Sequence, residues 1–188
     1  MSHLAIAPVL VPLVAGAVAL ALGPDRLNAQ RAVGIVATLV QLAIALALAG
    51  IAASGPPVIY PLGDWPAPFG IVLVLDRLAA AMLVLTSVVA IVALWAATGD
   101  WDARGKHFHA LFQFQLMGLS GAFLTGDLFN LFVFFEVMLI ASYCLLLHGR
   151  GRQRTSAALH YVIINLTASA LFLIAASLLY AVTGTLNM

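Results

Sequence analysis

The sequence predicts an all-α membrane protein with about six transmembrane helices, and three observations support this. First, 64% of the 188 residues are hydrophobic and only 8% are charged, whereas about a quarter of the residues in a soluble domain are charged. Second, the long apolar runs approach the roughly 20 residues that a helix needs to cross the hydrocarbon core. Third, these runs are apolar on all sides, without the one-sided stripe of a helix on a soluble surface.

The predicted helices cover residues 4–22, 33–53, 78–97, 109–125, 129–148 and 157–183. The first run resembles a signal peptide in its apolar character. A signal peptide begins with Lys or Arg, however, and neither precedes this run. We therefore predict a retained first helix.

Two connections between the helices are informative. The segment 54–70 contains five prolines, which exclude a helix and predict an ordered interfacial loop: Pro56, Pro57, Pro61, Pro66 and Pro68. Residues 71–75 are apolar but are followed by Asp76 and Arg77. We predict an extended or re-entrant segment there and start the third helix after this charged pair. Between the fourth and fifth helices, Gly126 is the predicted C-cap and Asp127 the predicted N-cap.

The charges predict the orientation of the chain. The loops after the first, third and fifth helices contain Arg26, Arg31, Arg104, Lys106, Arg150, Arg152 and Arg154, and the opposite side contains only Arg77. Cytoplasmic loops are enriched in Lys and Arg, so the N-terminus is predicted to lie outside.

The net charge of +1 argues against a nucleic-acid partner. The single cysteine, Cys144, excludes an internal disulfide and a cysteine metal cluster, and we expect it to be a small packing residue.

Glu136 is the only glutamate and the only acidic residue inside a predicted helix. It lies about seven residues, or roughly 10 Å, from the start of the fifth helix. An ionisable residue near the helix centre costs about 2.5–3.5 kcal/mol to insert and is a functional-site hypothesis by default. Its face of the helix is otherwise apolar and aromatic, apart from Tyr143. A low dielectric favours the neutral carboxyl, whereas a nearby cation favours the charged one. A carboxyl balanced between these two effects can bind and release a proton, so Glu136 is a candidate for this role.

A structural interpretation of Glu136 competes with this one. A protonated carboxyl can act as a hydrogen-bonding strut between helices, although Gln or Ser would do so without the cost of ionisation. No Lys or Arg lies inside a predicted helix, so the chain offers Glu136 no counter-charge at its own depth. The carboxyl is therefore neutral at rest or paired with a cation from elsewhere.

Several weaker candidates could line a hydrated proton path to Glu136: Tyr143, Gln113, Ser120, His160, Asn165 and Thr167. Such residues more often hydrogen-bond one helix to another. Asp127 is interpreted first as a cap and second as an ion-path residue. His148 and His160 could in principle bind haem or metal, but interfacial packing is favoured because both lie at helix ends.

The residues around Glu136 resemble a known membrane-protein family. Residues 125–143 read TGDLFNLFVFFEVMLIASY, which is similar to the fifth-helix signature of the proton-conducting antiporter-like family. That family includes subunits of Mrp-type sodium/proton antiporters, the antiporter-like subunits of respiratory complex I and membrane-bound hydrogenase subunits. This stretch is most similar to the D subunit of Mrp antiporters, as are HALFQFQLMGLSGAFLTGD before it and the closing GTLNM.

The resemblance implies a multi-pass subunit of a bacterial inner-membrane complex that exchanges a monovalent cation, sodium, for protons. Glu136 matches the family's fifth-helix glutamate, the proton relay, which pairs with a lysine on helix seven. Family members have roughly fourteen helices. Residues 1–188 are therefore expected to be the N-terminal part of such a domain, working with other subunits and without a cofactor.

Two other functions compete with this interpretation. The runner-up is a proton-pumping subunit of complex I or of a membrane-bound hydrogenase, which would use Glu136 in the same way. No Gly-rich phosphate loop or cysteine set in the sequence supports nucleotide or cluster binding by the chain itself. The third is a structural scaffold, in which Glu136 would be dispensable.

Overall fold

The structure is a computed structural model that describes residues 2–64, 70–149 and 151–188. The described part contains six α-helices: α1 Ala7–Ala21, α2 Leu27–Ser54, α3 Arg77–Ala97, α4 Phe108–Leu124, α5 Leu128–Leu146 and α6 Arg152–Thr183. Two short strands, β1 Val58–Pro61 and β2 Val72–Leu75, separate α2 from α3. Five helical segments are long and apolar enough to span a membrane, and α4 has 17 residues. The all-α membrane fold class is confirmed, while the orientation of the N-terminus stays a prediction.

Hydropathy misplaced several helix ends. α1 begins at Ala7 after a 3-10 segment, Ser2–Ile6. α2 begins at Leu27 instead of 33, and α6 at Arg152 instead of 157. The prediction that no Lys or Arg lies inside a helix is therefore wrong, since Arg31 lies within α2. Hydropathy detects only the part of a helix that matches the hydrocarbon, whereas a helix continues into the polar headgroup region.

The extended segment predicted at 71–75 is confirmed as β2. It pairs antiparallel with β1, placing Val58 opposite Leu75 and Pro61 opposite Val72. Leu73 and Leu75 are buried in the core, so β2 is part of the packed bundle. Asp76 then caps α3, accepting a hydrogen bond from the Ala79 N–H at 2.7 Å. Trp65, Pro66 and Pro68 of the predicted loop lie outside the described residues.

The turn between α4 and α5 corrects one predicted cap. Asp127 is the N-cap of α5, as predicted, and its Oδ1 accepts a hydrogen bond from the Asn130 N–H at 2.8 Å. The residue that ends α4 is Thr125, with extended backbone, so the prediction of Gly126 as a C-cap is wrong. Gly126 is required by close approach instead, because a Cβ there would lie 2.7 Å from Val74 Cγ2. Its N–H donates to the Val72 carbonyl at 2.8 Å.

The packing of the helices leaves one side of the bundle open. α1 packs against α2 and α4, α3 packs on α2, and α5 packs on α4. α6 packs along α5, and most of its surface is exposed. Cys144 on α5 is also exposed, so the expectation that it packs internally is wrong for the described chain.

We call the end of the bundle with β1, β2 and Asp127 the hairpin end, and the opposite end the Asp102 end.

Candidate functional site

Glu136 lies eight residues after the first residue of α5, about 12 Å along the helix at 1.5 Å per residue. Its side chain is half-buried, and its Oε1 atom is enclosed without a hydrogen-bond partner among the described residues. Within the same part of the chain, no salt bridge includes Glu136. A buried acceptor is normally paired, so this carboxyl has capacity for a proton, water or a cation.

Glu136 lies on the face of α5 opposite to α4, the helix on which α5 packs. The contact with α4 is made by Phe134 and Met138, which lie against Gly121 and Gly118. Positions two residues before and after Glu136 are about 160° away from it on a helix. On its own side, Phe129, Val133 and Ile140 are 52%, 40% and 58% exposed. Glu136 therefore lies on the side of α5 away from α4, among exposed neighbours, although its own Oε1 is enclosed.

Gln113 and Ser120, two predicted path residues, do not face Glu136. They are buried between α4 and α2, where Gln113 Nε2 donates to the Gly34 carbonyl and to Thr38 Oγ1, both at 3.1 Å. Ser120 Oγ accepts from Gln41 Nε2 at 2.8 Å. In the described chain both hydrogen-bond helix to helix, which was the alternative interpretation of these residues.

The three candidates on α6, together with Tyr143 on α5, divide into two groups. His160 and Thr167 are exposed, and their polar side-chain atoms contact carbonyls of their own helix at 2.8 and 2.9 Å. Asn165 also donates to a carbonyl of its own helix, that of Tyr161 at 2.8 Å, but it is half-buried and lines a cleft of about 370 Å³ between α5 and α6. Tyr143 lies beside that cleft, with its ring 5.6 Å from the ring of Tyr161 in an edge-on arrangement. Of the predicted set, Tyr143 and Asn165 therefore lie on the side of α5 that meets α6.

The sequence analysis missed a buried cluster at the Asp102 end. Asp102 has 0% exposure and accepts hydrogen bonds from Arg31 Nε at 2.6 Å and Nη2 at 2.8 Å. His109 Nε2 lies 3.0 Å from Asp102 Oδ2. The Arg31 hydrogen bond holds the pKa of Asp102 below its usual value, against the opposing effect of burial. The sequence placed Asp102 in a loop, and a loop position gives no signal of burial.

The side chain of His148 is held by packing and by one polar contact. His148 is buried, its Nε2 lies 2.9 Å from the Trp101 carbonyl, and its ring packs 5.2 Å from that of Phe108. This placement agrees with interfacial packing. Among residues 2–64, 70–149 and 151–188, no group of three or more His, Cys, Asp or Glu side chains is placed to hold a metal ion.

Comparisons with known proteins decide the family. The family model described as NADH:quinone oxidoreductase/Mrp antiporter, transmembrane, matches residues 125–188, which include Glu136. The chain aligns over its whole length with the D subunit of a probable K(+)/H(+) antiporter of Rhizobium meliloti, at 53% identity. The alignment covers 36% of that subunit. It also aligns over its whole length with the D subunit of the Na(+)/H(+) antiporter of Alkalihalophilus pseudofirmus, at 43% identity. That alignment covers 38% of the subunit. The chain belongs to the proton-conducting antiporter-like family.

The fold agrees with this family. The chain superposes with a TM-score of 0.93 on a chain of the Mrp complex from Dietzia sp., at 34% identity, covering 100% of this chain and 36% of that one. A chain of respiratory complex I from Thermus thermophilus shares the fold with a TM-score of 0.70, at 19% identity, over 100% of this chain and 38% of that one. The antiporter-like chain is thus a multi-pass membrane protein. It spans little more than a third of the length of the curated relatives that it matches.

Proposed function

We propose that the chain is part of a subunit of a multisubunit antiporter that exchanges a monovalent cation for protons, with Glu136 as the protonatable relay. The observation that carries the proposal is the enclosed Oε1 of Glu136, about 12 Å into α5 and without a hydrogen-bond partner in the described chain. Holding such a group in hydrocarbon is costly, and proton transfer is a function that explains its presence. Partner subunits would complete the transport path.

The two named relatives leave the exchanged cation open. One is named for potassium and the other for sodium, and we retain sodium as the working substrate. Both ions are monovalent and positively charged, so the proposed chemistry at Glu136 is the same. Vesicle assays with each salt in turn would assign the cation.

A redox-driven proton pump is the second candidate. The N subunit of the NADH-quinone oxidoreductase of Desulforudis audaxviator is 39% identical over 192 residues, which cover 100% of this chain and 38% of that protein. Antiport is favoured because the relatives at 53% and 43% identity are named as antiporter subunits. Antiport proceeds in vesicles without an electron donor, whereas a redox-driven pump requires one.

The experiment is Glu136→Gln in the full-length subunit within its complex. The amide keeps the shape and hydrogen-bonding capacity of the side chain but cannot ionise, so antiport in inverted vesicles should fall to background while assembly is retained. Ile140→Gln is the matched control, because it places the same amide one turn further along α5 and should leave antiport active. Antiport near the wild-type rate in assembled Glu136→Gln complexes would remove Glu136 from the mechanism and favour the scaffold.

A further inference from the structure

A second cleft opens at the hairpin end, beside the beginning of α5. It has a volume of about 340 Å³ and lies between the first turns of α5, the last turn of α6 and residues 70–71. Phe129 and Val133 form its α5 wall, Tyr180 contributes from α6, and Asp127 and Asn130 are its polar residues on α5. The cleft is therefore apolar along its length and carries a carboxylate at one end.

The α5 wall of this cleft leads towards Glu136. Phe129 and Val133 precede Glu136 by seven and three residues, and these spacings place all three on one face of the helix. Val133 is separated from Glu136 by about 4.5 Å along the helix axis, less than one turn. The inner end of the cleft, at Val133, thus lies less than one turn of α5 from Glu136.

The outer end of the cleft is polar and negatively charged. Asp127 is buried, and one of its carboxylate oxygens caps α5. Asn187 pairs with Asp127 across an antiparallel bridge, and its Oδ1 is enclosed without a hydrogen-bond partner among the described residues. This unpaired acceptor, on the residue that pairs with Asp127, has capacity for a water molecule.

The charge of Asp127 is stabilised by the dipole of α5 at its N-terminus, and it also lies at the end of the cleft. Asn is as good an N-cap as Asp and would avoid placing a charge at the end of an apolar cleft. A carboxylate there raises the local concentration of positively charged species, since a low-dielectric wall focuses its field. Asp127 is therefore a candidate positioning residue for cations, including protons carried by water.

We propose that this cleft is a water-accessible route by which protons reach Glu136 from the hairpin end, with Asp127 at its mouth and Val133 as the apolar constriction before the relay. The inference rests on the proposed function of Glu136. It adds the end of the bundle from which protons enter and two residues that control their entry, Asp127 and Val133. A route of this kind predicts that thiols placed in the cleft react with water-soluble reagents, whereas thiols in lipid do not.

The experiment measures thiol modification rates in the full-length subunit within its complex. In a background with Cys144→Ser and without other reactive cysteines, Phe129→Cys and Val133→Cys are each modified with MTSET, a charged methanethiosulfonate that does not cross membranes. Both should react at least tenfold faster than Ile140→Cys, and only when the reagent reaches the hairpin end. Ile140 is the matched control because it lies on the same face beyond Glu136 and is more exposed than either residue in the described chain.

Two further variants separate the parts of the proposal. Asp127→Asn keeps the cap, and it should lower the rate with cationic MTSET severalfold relative to the rate with anionic MTSES. Modification of Val133→Cys should persist when Glu136→Gln is added, because access does not require transport. Rapid labelling together with normal antiport by Glu136→Gln would overturn the relay and with it the use of the route. If Phe129→Cys and Val133→Cys react no faster than Ile140→Cys while Glu136→Gln abolishes antiport, the cleft is overturned and the relay is supported.

Discussion

Arg31 donates two hydrogen bonds to the buried carboxylate of Asp102, at 2.6 and 2.8 Å, although 71 residues separate the two in the chain. The contact ties the first turns of α2 to the connection between α3 and α4. His109, at the beginning of α4, contacts the same carboxylate. Three elements therefore meet at one side chain, and this side chain should control the stability of the Asp102 end.

The first prediction concerns Asp102→Asn. Removing the charge leaves Arg31 without its anionic partner and weakens a buried, charge-assisted hydrogen bond. We expect a clear drop in the midpoint of thermal unfolding of the purified complex. Asp100→Asn is the matched control, because Asp100 pairs with Arg104 at 2.6 Å on the exposed surface, where ion pairs contribute little. Equal effects of the two substitutions would contradict a structural role for the buried pair.

The second prediction concerns acid stability. The pKa of Asp102 is lowered in the folded protein, chiefly by the Arg31 hydrogen bond, relative to an unfolded value of about 3.9. The stabilisation is present above that unfolded value and is lost as the pH falls through the lower, folded value. The unfolding midpoint should therefore fall more steeply below about pH 4 in the wild type than in Asp102→Asn. Parallel curves for the two proteins in that range would disprove the linkage.

The third prediction concerns the contact between α4 and α5. A Cβ at Gly118 would lie 2.7 Å from the Met138 backbone nitrogen, and backbone cannot move aside as a side chain can. Gly118→Ala should destabilise the fold by about 1–3 kcal/mol, as overpacking generally does. Gly50→Ala is the control, since nothing lies within 4 Å of its added methyl group, and it should be neutral or stabilising because Ala favours helices. Denaturation of both variants in detergent would measure the difference.

The fourth prediction tests the position of Gln113 away from the proposed relay. Gln113→Leu removes two hydrogen bonds to α2, and side-chain hydrogen bonds between membrane helices contribute about 0.6 kcal/mol on average. We expect a loss of about 1 kcal/mol of stability on that basis, with antiport close to the wild-type rate. Loss of antiport in a stably assembled Gln113→Leu complex would return this residue to the proton path.

The sequence predicted those features that hydrocarbon imposes directly. The apolar runs located the helices, the pair Asp76 and Arg77 marked the start of α3, and Asp127 was recognised as a cap. Helix ends were missed where charged turns extend beyond the apolar run, as at Leu27 and Arg152. Hydropathy contains no information on such turns, because they are solvated or paired.

The candidate site was predictable only in part. The isolation of Glu136 in an apolar helix was visible, since a single charge stands out in such a sequence. The side of the bundle that each polar residue faces was not, because α4 is apolar all round apart from a few polar residues. The burial of Asp102 was also invisible, since it depends on Arg31 and His109, which only the fold brings together.

The turn around Gly126 has a consequence for the evolution of the chain. Its neighbours are bound through main-chain atoms: the Gly126 N–H to the Val72 carbonyl at 2.8 Å, the Leu128 N–H to the Leu186 carbonyl at 2.9 Å, and the Met188 N–H to the Gly126 carbonyl at 2.9 Å. Contacts between main chains do not depend on which side chains are present, but they do depend on register. Point mutations of Val72, Leu128, Leu186 and Met188 should therefore be tolerated, while Gly126 and the capping residue Asp127 stay constrained and insertions and deletions are rejected.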